Sequence, residues 1–298
     1  MTDADRPLSV RASDPDPFLA DPSAGGVDSP GHPTSGSVSV PLRGASYQEA
    51  GSSRAAPAGL GVGVGVLDTG IAASGDLAGR VVASADLSGE WNFTDSYGHG
   101  TFMAGLIAGS GQGGGPAGVA PGVDLVDLKV AGADGATTLG QVLAAMQLAD
   151  AARDRLNLRV LNVSLGAPAD DPATAPLTEA VERLWADGIT VVAASGNEGG
   201  GVDAPGLDPH VVTVGAVDPA GAVPSWSSRG PDFAGRAKPD LVAPGVGLVG
   251  LRAPGSTIDL ANPEARVGDD YVRGPARPPR AGASCWSRPW SPRAGTWA

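Results

Sequence analysis

The sequence predicts an α/β protein with a mostly parallel central sheet and helices on both faces. Three observations carry that expectation. The chain has 298 residues, enough for one large domain with a sizeable core. Its hydrophobic residues make up 42% of the total and cluster in β-branched runs, so a packed core is expected despite 46 glycines and 27 prolines. From about Gly59 onward, short apolar runs alternate with segments of helical period, the pattern of a parallel sheet covered by helices.

The elements follow in order. Val62 to Leu67 reads as a buried strand, Gly100 to Ala108 as a short apolar helix, and Val123 to Val130 as a second strand with charges at its edges. Thr137 to Leu156 has the helical period, with Leu139, Val142, Leu143, Met146 and Leu148 on one face. Val160 to Val163 is a third strand. Thr174 to Ala186 is a helix ended by Gly188, and Ile189 to Ala194 is the strand after it. Val211 to Val217 and Leu241 to Val242 are further strand candidates.

Three regions result. Residues 1–56, rich in Asp, Pro, Ser and Gly without a sustained apolar period, read as a disordered extension. Residues 57–274 carry the domain. Residues 275–298 break abruptly from it: Arg277, Arg280, Arg288 and Arg293 stand among five prolines and three tryptophans with no acid, and no strand or helix pattern survives.

Composition excludes several function classes. A net charge of -12 opposes nucleic acid or an anionic membrane as the main partner. The single cysteine, Cys285, lies in the tail, so neither a disulfide framework nor a cysteine metal site is expected. Residues 1 to 20 contain four aspartates and no apolar core, so they read as neither signal peptide nor membrane span, and a cytoplasmic location is expected; secretion would need a leader upstream of this start. Gly59, Gly61, Gly63 and Gly65 invite a dinucleotide-binding reading, but they lie before and inside a strand rather than after it at a helix start. No cofactor and no metal are therefore expected.

Candidate site residues lie at the ends of the predicted elements. Asp68 follows the first strand, at the sheet edge where α/β proteins place their sites, although an Asp there also reads as a turn or capping residue. His99 is one of three histidines and stands between Gly98 and Gly100 at the start of an apolar helix, which lets backbone approach the ring closely. His32 falls in the extension, and His210 reads as a solvated loop residue. Asn197 follows the 189–194 strand on the small-residue loop Ser195-Gly196-Asn197, where its amide could meet a developing oxyanion or serve a turn.

Taken together, Asp68-Thr69-Gly70, His99-Gly100-Thr101 and Ser195-Gly196-Asn197 resemble, in order, the successive signatures of the subtilisin-like serine proteases. Asn162 to Gly166, Ser225 to Pro231 and Lys238 to Gly245 are similar to three further blocks of that family, so the resemblance spans about residues 60 to 274. It implies peptide-bond hydrolysis through an Asp/His/Ser triad: Asp68 would orient His99, His99 would act as general base and acid, and Asn197 would donate to the oxyanion. It also implies an extended peptide as partner. Ser164, Leu165 and Gly166 on one side, and Ala194, Ser195 and Gly196 on the other, would form the edges that receive it.

One part of the pattern is missing. The family's Gly-Thr-Ser nucleophile block, at the start of a long buried helix, should follow Ala243 to Gly245, and no such block occurs. Gly255-Ser256-Thr257 imitates it, but Asn262-Pro263 follows so soon that no helix is expected there. Ser284 and Cys285 sit in the tail, with no element to hold them. The codon families of Pro275 to Ala281, read one base out of frame, permit Gly, Thr, Ser, a small residue or Pro, then Ala, which suggests a frameshift or truncation after Gly274. The expected protein is therefore either an inactive relative of these proteases or a non-catalytic peptide-binding pseudoprotease.

Overall fold

The computed structural model describes residues 59–167 and 174–274, and the backbone of 290–291 and 296–297. The expected extension 1–56 and most of the tail, with Ser284 and Cys285, lie outside the described residues.

The strands are β1 (Gly63–Asp68), β2 (Val81–Asp86), β3 (Asp124–Lys129), β4 (Leu158–Val163), β5 (Thr190–Ala194), β6 (Val212–Val217), β7 (Gly230–Pro231), β8 (Ala237–Lys238), β9 (Leu241–Pro244), β10 (Val249–Leu251), β11 (Arg266–Val267) and β12 (Tyr271–Arg273). The helices are α1 (His99–Ala108), α2 (Leu139–Ala152), α3 (Ala175–Ala186) and α4 (Thr257–Ala261). Seven strands form one sheet in the order β2-β3-β1-β4-β5-β6-β9, and every pairing in it is parallel. The expected fold class is therefore the observed one. None of the described helices is long and apolar enough to cross a membrane.

Apolar residues bury on both faces of the central strands, as a parallel sheet requires. On one face Leu67, Leu128, Leu161, Val163 and Val191 pack against Val142, Ala145 and Met146 of α2 and Leu177, Val181 and Leu184 of α3. These helical residues recur at three- and four-residue spacing, which makes the stripe that faces the sheet. Thr138 starts α2 with a reciprocal capping box to Gln141. On the other face Val64, Val66 and Leu125 meet Ala104 and Ala108 of α1, with Leu251 and Tyr271 behind them.

Several elements depart from the sequence-based expectation. Strand β2 was not expected, because Val-Val-Ala-Ser-Ala-Asp at the sheet edge is half-buried and has no apolar run. A small antiparallel sheet, β10-β12-β11, adds strands too short to leave a period-two signal. The same holds for the antiparallel pair β13 (Trp290–Ser291) and β14 (Thr296–Trp297), which falls in a tail read as patternless. The expectation that no helix follows Ser256 is corrected: Ser256 caps α4 by accepting from the Asp259 N–H at 3.4 Å. Pro263 restricts only Asn262 before it, which leaves room for five helical residues and no more.

Candidate active site

Strand β1 has β3 on one side and β4 on the other, so its carboxyl end is a topological switch point, where a crevice opens in parallel sheets. Asp68 is the last residue of β1, 4% exposed, and pairs in register with Lys129 at the end of β3. His99 is the first residue of α1. Its Nδ1 lies 2.7 Å from Asp68 Oδ1 and 2.8 Å from Oδ2. A carboxylate at Nδ1 holds the proton there in the neutral ring, which makes Nε2 the accepting nitrogen.

The glycines around His99 serve this contact. Gly98 takes φ 111°, a conformation that side chains disfavour, and a Cβ on Gly100 would collide with the Gly70 carbonyl just beyond Asp68. The loop and the helix start therefore touch backbone to backbone.

A second carboxylate, absent from the sequence reading, ties the two segments together. Asp95 accepts from Thr69 Oγ1 at 2.8 Å, from the Gly98 N–H at 2.6 Å, and from the N–H and hydroxyl of Thr101 at 2.8 and 2.7 Å. Thr69 Oγ1 in turn accepts from the Gly100 N–H at 2.9 Å. Burial pushes the Asp95 carboxyl up, and these hydrogen bonds oppose the rise without cancelling it. The available signal was local: an Asp just before an apolar helix is a capping residue. Beneath the pair, burial holds the Asp127 carboxyl well above the usual carboxylate range, with Asp95 and Asp68 adding to the effect.

The loop that delivers Asp95 and His99 is folded around a buried cation. Lys129, 0% exposed, donates from Nζ to Glu90 Oε2 at 2.7 Å, Asn92 Oδ1 at 3.2 Å, the Thr94 carbonyl at 2.7 Å and Ser96 Oγ at 3.1 Å. Burial alone would raise the Glu90 carboxyl, but the Lys129 and Ser96 hydrogen bonds outweigh it and hold the group at about 2.

Asp68, His99 and Asn197 all border one cavity of about 1010 Å³, as do Ser164, Leu165, Gly166, Ala194, Ser195 and Gly196. The structure thus brings every expected site residue to one cleft. The two edges differ in what they offer. Ser195 already spends its N–H on the Val214 carbonyl and its carbonyl on the Asp203 N–H, and Gly196 gives its carbonyl to the Ser228 N–H. Ser256 lies instead against Gly98 behind the start of α1, with its hydroxyl engaged at the start of α4. Two hydroxyls bordering the cavity are also engaged: Ser164 Oγ accepts from Asn162 Nδ2 and Ser227 Oγ from the Ala216 N–H.

Away from the cleft, Glu182, Asp208 and His210 bring their ligand atoms within 4.8 Å of one another, the one group among the described residues that could hold a metal. His210, expected to be a solvated loop residue, is half-buried, its ring 5.8 Å from Trp185, because the turn before β6 packs on the end of α3.

The profile described as the Subtilase family matches residues 59–266. The chain belongs to the subtilase family. Over 232 residues it is 37% identical to Serine protease AprX of Bacillus subtilis (strain 168), a match covering 72% of this chain and 52% of that protein. It is 40% identical over 191 residues to Alkaline elastase YaB of Bacillus sp. (strain YaB), covering 64% of this chain and 47% of that protein. Subtilisin DY of Bacillus licheniformis is 39% identical over 197 residues, covering 64% and 66%. This subtilase chain therefore spans about half the length of the first two of these relatives. The paired Asp68 and His99, and the cleft they border, lie inside the matched region.

Proposed function

We propose that this chain carries the frame of a serine endopeptidase and lacks its nucleophile, so that it hydrolyses peptides far more slowly than a complete relative. The observation that carries this reading is the Asp68–His99 pair at 2.7 Å, buried at the mouth of a cleft that also presents Asn197. In this reading His99 is the general base and acid, Asp68 fixes its tautomer, and Asn197 donates to the tetrahedral oxyanion. The substrate is a peptide lying extended along Ser164 to Gly166, with Ala194 to Gly196 across the cleft. No cofactor enters the chemistry.

The cavity supports the absence of the nucleophile block in physical terms. It runs from the cleft along the sheet, past Val64, Val160, Val192 and Val214, to Phe102, Met103, Leu106 and Ile107 of α1 and on to Gly274. Apolar walls of that length form a bed that no described element covers, and the sequence beyond Gly274 is where the composition breaks. The second reading, a non-catalytic peptide binder, draws on the same fact: the edges of the cleft stand without a committed serine.

The test compares the chain with a version whose reading frame is shifted by one base after Gly274. Both are treated with a serine-reactive fluorophosphonate and assayed on a peptide substrate. Labelling of the reframed protein alone, with activity lower by several orders of magnitude in the present chain, is expected. Labelling of the present chain would overturn the proposal. Peptide binding without turnover in both versions would favour the pseudoprotease.

A further inference from the structure

One side chain stands between the two edges of the cleft without belonging to the Asp68–His99 pair. Ala167 and Ala204 bond to each other in both directions, at 2.9 and 2.8 Å, and the Asp203 N–H donates to the Ser195 carbonyl at 3.1 Å. These contacts set Asp203 in the gap. A Cβ built on Gly166 would come within 2.9 Å of Asp203 Cβ, and one on Gly196 would meet Asp203 Oδ2, so both neighbours are glycine where a side chain would fill the recess. Ser228, 1% exposed, places its Oγ 2.9 Å from the same point on Gly196, and that hydroxyl has no hydrogen-bond partner among the described residues. A carboxylate oxygen and an unspent buried hydroxyl converge on one spot.

The electrostatics of the recess are unbalanced. Burial first, and the neighbouring Glu198 second, push the Asp203 carboxyl up to about 7. No Lys or Arg among the described residues pairs with either acid, whereas Asp232, Asp240 and Asp259 each have a cation. A carboxylate withdrawn from water without a partner is costly, and a cation brought by a ligand would remove that cost.

We propose that the recess between Gly166 and Gly196 selects a peptide side chain carrying an ammonium or guanidinium group, lysine or arginine, with Asp203 as the specificity-determining residue and Glu198 at its rim. The inference rests on the reading of the cleft as a peptide-binding site. An apolar side chain in this recess would bury the carboxylate further without a partner, and an acidic one would be repelled. The net charge of -12 favours the encounter with a basic peptide in the same direction.

The experiment measures fluorescence anisotropy of labelled tetra-alanine peptides, in which each position in turn is Lys, Arg, Leu or Glu, on the full chain. At one position Lys and Arg should bind about tenfold tighter than Leu, with Glu weakest. Asp203→Asn should remove that preference, Glu198→Gln at the exposed rim should weaken it, and Glu264→Gln, remote and exposed, should keep it. Melting curves establish that each variant is folded. Alanine peptides that bind with no preference for a cation at any position would overturn the proposal, as would a preference that survives Asp203→Asn. If no peptide binds at all, the peptide-cleft reading itself fails and takes this inference with it.

Discussion

The two faces of the central sheet are finished to different degrees. On the α2/α3 face, Leu161, Val163 and Val191 are 0% exposed beneath two helices. On the α1 face the cover seals β3 and most of β1, where Val66 and Leu125 are also 0% exposed, and thins from Val64 toward β4. Val160, Val192 and Val214 line open cavity there, and Leu241 and Val242 at the sheet edge are 48% and 44% exposed. The difference locates what the described chain lacks. It is apolar cover beside the cleft, in the same cavity that His99 borders.

The largest expected effect comes from supplying that cover. Fully burying an exposed apolar side chain contributes roughly 1.5–3 kcal/mol; Val160, Val192 and Val214, with Met103, Leu106 and Ile107 of α1, are half-buried and would gain about half of that each, so covering all six should stabilise the fold by about 5 kcal/mol. For a domain of this size that corresponds to a rise in Tm of roughly 10 °C or more. The present chain should bind the apolar dye ANS and the reframed chain should not. Equal melting temperatures and equal dye binding would erase the contrast between the faces.

A smaller effect sharpens it. Leu161→Ala removes a side chain from the sealed face and should cost about 2–5 kcal/mol, because the cavity left behind cannot collapse. Val192→Ala on the open face should cost less than about 1 kcal/mol, since no described residue packs over it on that side. Urea denaturation with a common m-value reads both. A Val192→Ala cost as large as that of Leu161→Ala would show that something packs over the open face after all.

The same asymmetry explains what could be read from the sequence. Strand β1 was legible because both of its faces are buried, which forces a continuous apolar run. Strand β2 was not, because an edge strand with one wet side tolerates Ser84 and Asp86. His99 announced itself through Gly98 and Gly100, whose roles are local. Asp95 was harder to see: one of its partners, Thr69, comes from the β1 turn, and chain separation hides that contact. Asp203 was invisible for a related reason. Its position follows from the Ala167–Ala204 bridge, which joins two loops that no local pattern connects. The short helix α4 was misjudged because Pro263 was read as forbidding a helix when it only limits its length.

The smallest expected effect concerns acid, and it separates the faces by charge rather than by packing. Three carboxylates held below their ordinary values, Asp76, Glu90 and Asp259, serve the segments around α1, β10 and β12, although burial raises Asp95 and Asp127 near the start of α1, and Asp232 beside β7 is held down by hydrogen bonds from Arg236 and Ala234 that outweigh its burial. Asp76 is held down by hydrogen bonds from Ser110 and Tyr271, which outweigh its burial. Glu90 lies at about 2 for the reasons given above, and Asp259 lies at about 2 because the Gly255 N–H, Arg252 and Arg266 outweigh its burial. A carboxylate whose folded value is depressed adds stability above its unfolded value and loses it as pH falls through the folded one. The loss therefore runs from about pH 4.5 for Glu90, and from about pH 3.8 for Asp259, down to about pH 2 in both cases. On the α2/α3 side the sign is opposite: burial, and the nearby Asp187 and Asp208 respectively, raise Asp150 and Glu182, so acid relieves strain there rather than adding it. Native-state hydrogen exchange between pH 5 and pH 2.5 should show amides of α1, β10 and β12 losing protection first while α2 and α3 keep theirs. Asp259→Asn should reduce protection of β10 and β12 at pH 5 and flatten its pH dependence, because the ion pairs to Arg252 at 2.7 Å and Arg266 at 2.7 Å are gone at every pH. Uniform loss of protection across both faces would mean that the sheet opens as one unit, and the open face would then differ from the sealed one in packing alone.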